Sequence, residues 1–256
     1  KLSQLRIYKG KGLTASEVLQ NYNATKSNYD LITTGLVLHL DASNSSSYSG
    51  SGTTWTDLSG QGNDGTLVNG VTYNSGDGGY FIFDGTDDKV TMSAGSDFAY
   101  GTGDFTVEIW FNVTGTTPQT YGEVLYAQTV GGTNYFVVNA SRGNPVSKLP
   151  TFTHGTSGGG TGVVSSTAYT EGTWHHYVVT RNGTALTVYL DYSSVATATV
   201  SQDFSNTTYV PTLGAYTHTN SNNLDGKIAQ LRIYKGKGFS ASEVLQNYNA
   251  TKANYV

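Results

Sequence analysis

Carboxylates are the most plentiful candidate reactive groups of this 256-residue chain, which has 13 Asp and five Glu. Hydrolysis of a glycosidic bond requires two carboxylates that flank the scissile bond, roughly 5–10 Å apart. Glu17 and Glu243 are positioned to cap helices, and Glu108 lies alone in TVEIW with no acid two positions away. The residues therefore favour a protein that is not an enzyme, and a glycoside hydrolase is the least favoured function.

Histidine gives no stronger catalytic signal. No serine lies in a G-x-S-x-G elbow, and His175 and His176 are neighbours in a predicted strand, so their side chains point to opposite faces. We expect one packed and one solvated imidazole. The glycine-rich stretch 155–162 has no helix after it to complete a phosphate cradle, and we predict a loop there.

Oxygen ligands for a hard cation are abundant in the predicted loops. Cysteine is absent, which excludes disulfides and zinc–thiolate sites. The segment DLSGQGNDG supplies Asp57, Asn63 and Asp64 around three glycines, and FDGTDD supplies three more aspartates. Such a set suits Ca²⁺, although Asp-Gly and Asn-Asp-Gly are also ordinary turn formers.

Short predicted strands separated by turns fill most of the chain. Residues 104–113 alternate between two faces, and 174–191 contains two strands around Asn182-Gly183, a strong hairpin signal. About a dozen strands predict an all-β, two-sheet antiparallel sandwich. Charged residues make up only 12%, and no apolar run reaches the roughly 18 residues of a membrane span. This composition favours an extracellular, cell-surface or virion-surface protein.

The two ends of the chain carry the same segment. Residues 1–30, the leading copy, and 227–256, the closing copy, are identical at 24 of 30 positions at a fixed offset of 226. Each copy predicts a strand in QLRIY, a turn in KGKG and a helix with a capping box, formed by Thr14 and Glu17 in the leading copy. We therefore predict two parts: 1–30 as the strand–helix tail of a preceding repeat unit, and 31–256 as one domain with a short capped helix after its last strand.

Charge is distributed unevenly between these parts. The leading copy has a net charge of +3, the closing copy +4, and the body between them, residues 31–226, −11. This asymmetry predicts head-to-tail attraction between neighbouring copies, although common ancestry of the two copies would also explain it. The overall acidity argues against a nucleic-acid partner. The predicted interface residues are Arg6, Tyr8, Lys9, Lys11, Arg232, Tyr234, Lys235 and Lys237.

Five blocks occur in a characteristic order: WTDLSGQGNDGTLVNG, FIFDGTDDKV, FTVEIWFN, GTWHHYVVTRNG…LTVYLD and LDGKIAQLRIYKGKGFSASEVLQNY. Their series, about residues 34–250, resembles the laminin-G-like branch of the concanavalin A-like lectin/glucanase superfamily. The resemblance implies a jelly-roll sandwich in which 227–235 pairs near 35–41.

The resemblance also implies one structural Ca²⁺, because relatives commonly hold this ion between such loops. The preferred ligands are Asp41, Asp57, Asn63 and Asp64. One position departs from the pattern, since Ala229 follows Ile228 where relatives often have an acid.

The sequence thus favours a non-catalytic structural or adhesive module of a tandem-repeat surface protein, working through unit-to-unit contacts. The ASEVLQNYNATK ending resembles modules of phage and bacterial surface proteins. The alternative is a carbohydrate-binding module that uses aromatic platforms. Candidates for these platforms are Tyr48, Trp55, Tyr73, Tyr121, Tyr126, Tyr135 and Tyr216.

Overall fold

Two antiparallel β-sheets make up the body of the protein. The computed structural model describes residues 6–26, 30–114, 122–129, 134–141, 147–156, 159–216 and 222–256. The strands of the first half are β1 Leu36–Asp41, β2 Thr54–Trp55, β3 Gly65–Val68, β4 Thr72–Asn74, β5 Tyr80–Asp84, β6 Lys89–Thr91, β7 Phe105–Val113 and β8 Val124–Gln128. Those of the second half are β9 Tyr135–Asn139, β10 Thr151–Thr156, β11 Gly159–Val164, β12 His175–Asn182, β13 Ala185–Leu190, β14 Ser193–Thr199, β15 Thr212–Leu213 and β16 Asp225–Lys235.

Each sheet has eight strands. The first has the order β14-β13-β12-β7-β16-β5-β4, with β1 also paired to β16, and the second has the order β11-β10-β9-β8-β15-β6-β3-β2. Two α-helices, α1 Ala15–Lys26 and α2 Ala241–Thr251, and two 3-10 helices, Ser96–Phe98 and Lys252–Asn254, complete the described elements. The predicted all-β, two-sheet antiparallel fold is confirmed. Neither α-helix among the described residues is long and apolar enough to span a membrane.

The last strand organises the first sheet. β16 pairs with β7 along its length, while its first residues pair with β5 and its later residues with β1. In the β1 register, Leu36 lies opposite Tyr234 and Asp41 opposite Gln230. The predicted pairing of 227–235 near 35–41 is therefore confirmed.

Both faces of β7 are buried. Its alternate apolar residues, Phe105 to Phe111, enter the main core between the sheets. The other face carries Glu108 and Trp110, which are also buried, because α2 lies over this side of the sheet. The Trp110 ring stacks on Tyr248 at 5.6 Å, and its indole N–H donates to Thr251.

The helices begin as predicted, with capping boxes at Thr14–Glu17 and Ser240–Glu243. In the closing copy, Phe239 and Val244 are both buried and belong to one apolar cluster on the outer side of the first sheet. This contact joins the residue before the cap to the first turn of α2, as in a hydrophobic staple.

The predicted hairpin between β12 and β13 is present, but its turn lies one residue later than the sequence indicated. Asn182 still pairs with Ala185, so the two-residue loop is Gly183-Thr184. Gly183 has φ = 58°, which suits the first position of a type II′ turn.

A close backbone approach holds the turn before α2 against this hairpin. A Cβ on Gly238 would lie 2.3 Å from the Arg181 carbonyl oxygen, whereas one on the equivalent Gly12 would meet nothing within 4 Å. The same KGKG turn is thus packed in the closing copy and open in the leading copy.

Candidate functional site

A cleft opens along one side of the sandwich, between the edge strands of the two sheets. It lies between β11 and β14 and has a volume of about 550 Å³, within the roughly 300–1,000 Å³ of ligand pockets. Its lining residues are His154, Thr161, Gly162, Val163, Val164, Val195, Ala196, Thr197, Ala198 and Thr199.

His154 is the lining residue with the most defined hydrogen-bonding role. The Gln202 amide nitrogen donates to the Gly155 carbonyl at 2.7 Å, so the Gln202 amide oxygen faces His154 Nδ1, 2.8 Å away. A carbonyl oxygen only accepts, and Nδ1 must therefore carry the proton. In the neutral ring this leaves Nε2 as an acceptor, and Nε2 makes no hydrogen bond with the described residues.

The rest of the cleft combines one hydroxyl group with an apolar surface. Thr161 is exposed and lies opposite His154 in the β10–β11 register, and its hydroxyl can donate and accept. Val163 and Val195 are buried, and Ala196 and Ala198 pack against the main core. The threonines that alternate with these alanines therefore lie on the other face of β14. The cleft can thus hold a ligand that has hydroxyl groups and one apolar face.

Sequence reasoning missed this cleft. The stretch 155–162 was predicted to be a loop, but Gly159–Val164 forms β11 and pairs with β10; residues 157 and 158 lie outside the described part. The sequence signal for this cleft was the alternation in TFTHGT. It predicts a strand that carries Phe152 and His154 on the same face.

A buried polar cluster lies on the other side of the first sheet, beneath α2. The Glu108 carboxylate accepts from Arg232 Nε and Nη2 at 3.0 and 3.1 Å, from His176 Nε2 at 2.6 Å and from Asn247 Nδ2 at 2.9 Å. Arg232 Nη1 also donates to Gln230 at 2.7 Å. All five residues are at most 1% exposed, so a substrate cannot reach them. The cluster connects β7, β12, β16 and α2.

Charge neutralisation explains how a carboxylate persists in this interior. Burial alone would raise the pKa of Glu108, but the Arg232 guanidinium and the His176 hydrogen bond outweigh burial and hold this pKa well below its usual range. The carboxylate is therefore ionised at neutral pH.

The two adjacent histidines do point to opposite faces, but neither is solvated. His176 is fully buried in the Glu108 cluster. The His175 side chain is only 12% exposed, packs near Phe111 and contacts Asp191 Oδ2 through Nδ1 at 2.7 Å. The prediction of one solvated imidazole is wrong because the turn around Thr170 and Thr173 covers His175 and hydrogen-bonds to its Nε2.

Comparison with known proteins identifies the family. The laminin-G-type sequence profile of the concanavalin A-like lectin/glucanases superfamily matches residues 84–245, more than half of the chain. The chain belongs to this superfamily. The predicted resemblance is thereby confirmed, and the two-sheet sandwich is the expected fold of a laminin-G-like domain. No curated protein sequence matches the chain.

Solved structures with this fold include several binding domains. Domain 4 of AbnA, an extracellular GH43 arabinanase from Geobacillus stearothermophilus solved with arabinotriose, has a TM-score of 0.65 at 18% identity over 82% of this chain and 96% of its own. A structure of botulinum neurotoxin type C, whose cell entry is described as dependent upon interaction with two ganglioside molecules, has a TM-score of 0.66 at 16% identity. The binding domain of Paraclostridial Mosquitocidal Protein 1 has a TM-score of 0.63 at 15% identity.

The two toxin matches are partial. The alignment with the botulinum neurotoxin covers 86% of this chain, and that with the mosquitocidal protein covers 84%. Each covers only 52% of the toxin chain. The laminin-G-like domain therefore spans about half the length of those chains, and at these identities the likeness concerns the fold.

The predicted calcium ligands form a network of turn hydrogen bonds. The Asp57 carboxylate accepts from the His39, Ser59 and Asn63 backbone N–H groups and from the Ser59 hydroxyl. Asp64 in turn accepts from the Asp57 backbone N–H at 2.8 Å. These bonds occupy about four lone-pair positions on Asp57, which is the behaviour expected of a turn former.

The other two predicted ligands also bond within the protein. Asp41 accepts from the Ser43 backbone and hydroxyl, and Asn63 Nδ2 donates to the Val37 carbonyl and to Asp97. Calcium binding by Asp41, Asp57, Asn63 and Asp64 stays a prediction.

Three other aspartates converge more closely. Ligand oxygens of Asp84, Asp87 and Asp88 lie within 4.8 Å of one another, a spacing compatible with a cation 2.3–2.6 Å from each. Asp88 is 4% exposed, and its Oδ1 has no hydrogen-bond partner in the described part of the chain. Burial, together with the charges of Asp84 and Asp87, raises the pKa of Asp88. A cation would relieve this repulsion, so these three residues fit the calcium implied by the family better than the preferred set.

Calcium is expected to raise the melting temperature of the protein relative to EDTA at matched ionic strength, because an ion at a hundred times its Kd stabilises the folded state by ~2.7 kcal/mol. The Asp87→Asn variant should lose this rise and the Asp64→Asn variant should keep it, as measured by differential scanning calorimetry. An identical melting temperature with calcium and with EDTA would sink the calcium assignment.

The predicted interface residues fall into two groups. Arg6, Tyr8, Lys9 and Lys11 of the leading copy are exposed. Among their counterparts, Lys235 and Lys237 are half-buried, with Lys237 paired to Glu243. Arg232 and Tyr234 lie in the interior beneath α2, because β16 is a central strand. They hold the domain together and are not surface contacts.

The predicted aromatic platforms are mostly internal. Tyr48, Trp55 and Tyr126 are buried in the main core, whereas Tyr73, Tyr135 and Tyr216 are half-buried. Tyr121 lies outside the described residues. The aromatic side chains alone therefore do not mark a carbohydrate site.

Proposed function

We propose that this laminin-G-like domain is a non-catalytic, lectin-like module that binds carbohydrate in the cleft between β11 and β14. The observation that carries the proposal is the cleft itself, in which an imidazole acceptor, fixed by Gln202, lies beside the Thr161 hydroxyl on a valine and alanine surface. The domain would work on an extracellular surface, where domains of this family typically occur.

A sugar suits this combination of groups. Its hydroxyls can donate to His154 Nε2 and exchange hydrogen bonds with Thr161, while its C–H face can contact the apolar wall. A small number of fixed polar groups on an apolar wall is the usual composition of a small-ligand site. The lining residues that the structure describes include no carboxylate, which favours binding over hydrolysis.

The structural neighbours support the same class of ligand. The arabinanase domain was solved with arabinotriose, and the botulinum neurotoxin is described with gangliosides. These two ligands supply the first probes, and they differ in that one is a neutral pentose chain and the other a lipid-linked oligosaccharide.

The His154→Ala variant is expected to bind carbohydrate about 3- to 10-fold more weakly than the unmodified protein, because one net hydrogen bond contributes ~0.5–1.5 kcal/mol. Isothermal titration with arabinotriose and with a ganglioside-derived oligosaccharide measures this change. Thr161→Val should weaken binding similarly, and Thr66→Val on the exposed side of β3 is the matched control. Binding that survives both cleft variants unchanged would place the site elsewhere, and no binding across a broad glycan array would reject the function.

Assembly through unit-to-unit contacts is a second candidate function. It is favoured by one observation, the exposure of Ile7, Tyr8 and Val18 in the leading copy.

A further inference from the structure

The leading and closing copies have nearly the same sequence but opposite environments. In the leading copy, Ile7 is 83% exposed, Val18 53% and Tyr8 42%. Their counterparts are completely buried: Ile233, Val244 and Tyr234. Side chains that are exposed in the leading copy therefore have buried counterparts in the closing copy.

The leading copy nevertheless keeps the internal bonds of the closing copy. Asn21 Nδ2 donates to the Tyr8 hydroxyl at 3.0 Å, as Asn247 does to Tyr234 at 3.0 Å. Lys11 pairs with Glu17 as Lys237 pairs with Glu243, and both helices have the same capping box. Residues 6–26 thus contain the helix and turn contacts of a closing element without the sheet that it covers.

The closing copy shows what such an element binds. We call this site the closing slot: the gap between β1 and β7 together with the outer face of the first sheet beneath α2. In this slot the strand pairs on both sides, Arg232 binds Glu108, and Asn247 reaches Glu108 from the helix. The leading copy has Arg6 and Asn21 at the corresponding positions.

Charge supports the same fit. The body that provides the closing slot has a net charge of −11, and the leading copy has +3. At the centre of the slot, Glu108 is a buried carboxylate that requires a guanidinium partner. A segment that supplies Arg6 matches this requirement, and a generic amphipathic helix would not.

We propose that residues 6–26 are a transferable closing element, which docks as strand and helix into the closing slot of a second copy of this chain and exchanges with that copy's own 232–252. The contact is heterologous, because one copy gives its leading segment and the other its slot, so repetition builds a head-to-tail chain.

The connection to the donor's own body is short. In the donor, Gln246 donates to the Asp30 carbonyl and the Ile32 N–H donates to Asn247. The backbone is thus fixed beside the donor's own α2 only four residues after the end of α1. Neighbouring bodies in such a chain would be held close together.

The test weakens the closing copy in its own slot and measures whether the leading copy of a second molecule replaces it. In the full chain, Arg232→Met removes the guanidinium partner of Glu108 from the closing copy, and Arg6 of another molecule would restore it. We expect sedimentation equilibrium to give a dimer dissociation constant at least tenfold lower than that of the unmodified chain. Adding Ile7→Lys and Val18→Lys to Arg232→Met should reverse this gain.

Matched variants distinguish docking into the closing slot from nonspecific association. Ser16→Lys with Gln20→Lys adds the same charge at exposed positions of α1 and should leave the Arg232→Met association unchanged. Circular dichroism checks folding, and if Arg232→Met is unfolded, the milder Val244→Ala variant replaces it. A folded variant that stays monomeric, or association that is indifferent to Ile7→Lys and Val18→Lys, overturns the proposal.

Discussion

Replacing Arg232 with Met is expected to lower the free energy of unfolding by about 3–5 kcal/mol, the usual effect of removing one partner of a buried ion pair. The loss leaves the Glu108 carboxylate without the two guanidinium hydrogen bonds that it accepts from Arg232, in a site closed to water. Urea or guanidinium unfolding followed by tryptophan fluorescence measures the change. A domain in the upper part of the typical stability range of about 5–15 kcal/mol would remain folded but be markedly weakened.

The repeat supplies an internal control for this experiment. Arg6 has the same neighbours in sequence as Arg232 but is exposed, so Arg6→Met should change the unfolding free energy by less than about 0.5 kcal/mol. Pairing Glu108→Gln with Arg232→Met should cost less than the sum of the single changes, because the double variant buries no unpaired charge. Equal losses from Arg6→Met and Arg232→Met would contradict the buried-pair assignment.

Glu123 is expected to make the protein less stable as pH rises from about 6.5 to 8. Its side chain is 5% exposed and its Oε1 has no hydrogen-bond partner within the described residues. Burial, with smaller contributions from the charges of Asp225 and Glu171, raises the pKa of Glu123 to about 8. Between the unfolded value of about 4.3 and this pKa, the folded state keeps a proton that the unfolded state loses, so stability falls with pH by up to ~1.4 kcal/mol per unit.

His39 acts in the opposite direction at lower pH. Burial, followed by the nearby Arg232 charge, lowers the pKa of His39 to about 4, and an unfolded histidine titrates near 6.5. The unfolded state therefore binds the extra proton between these values, and stability rises with pH there. The His39 effect thus lies mainly below pH 6.5, whereas the Glu123 effect extends from pH 6.5 to 8.

A Glu123→Gln variant provides the measurement. It cannot ionise, so its unfolding free energy should be flatter than that of the unmodified protein between pH 6.5 and 8, with the two curves furthest apart at the alkaline end. Parallel curves across this range would mean that Glu123 is already ionised in the folded protein.

Local sequence patterns predicted most of the fold because strands, hairpins and capped helices depend on neighbouring residues. The pairing of β16 with β1 came from the family resemblance, and its register follows from the alternation of both strands. The buried face of β7 was harder to predict. Alternation shows that Glu108 and Trp110 share a face, but only the position of α2, more than 130 residues later, decides that this face excludes water.

The cleft and the buried polar cluster were harder to predict than the fold, because both depend on contacts between residues that are far apart in sequence. Glu108 appeared isolated in sequence because its partners, Arg232 and Asn247, lie 124 and 139 residues away. The cleft is formed by two edge strands whose threonines, valines and alanines make no recognisable motif. His154 gains its defined tautomer only through Gln202, 48 residues further along the chain.

The antiparallel pairing of Leu36 with Tyr234 has a mechanical consequence. The first and last strands begin and end at the same edge of the sandwich, so tension applied between residues 30 and 252 would peel β16 from β1 one hydrogen bond at a time, and would not shear the whole ladder together. The clasp of Ile32 and Asp30 on α2 lies directly in the line of force. This small contact would therefore break first under load, and the large core would resist only after it has broken.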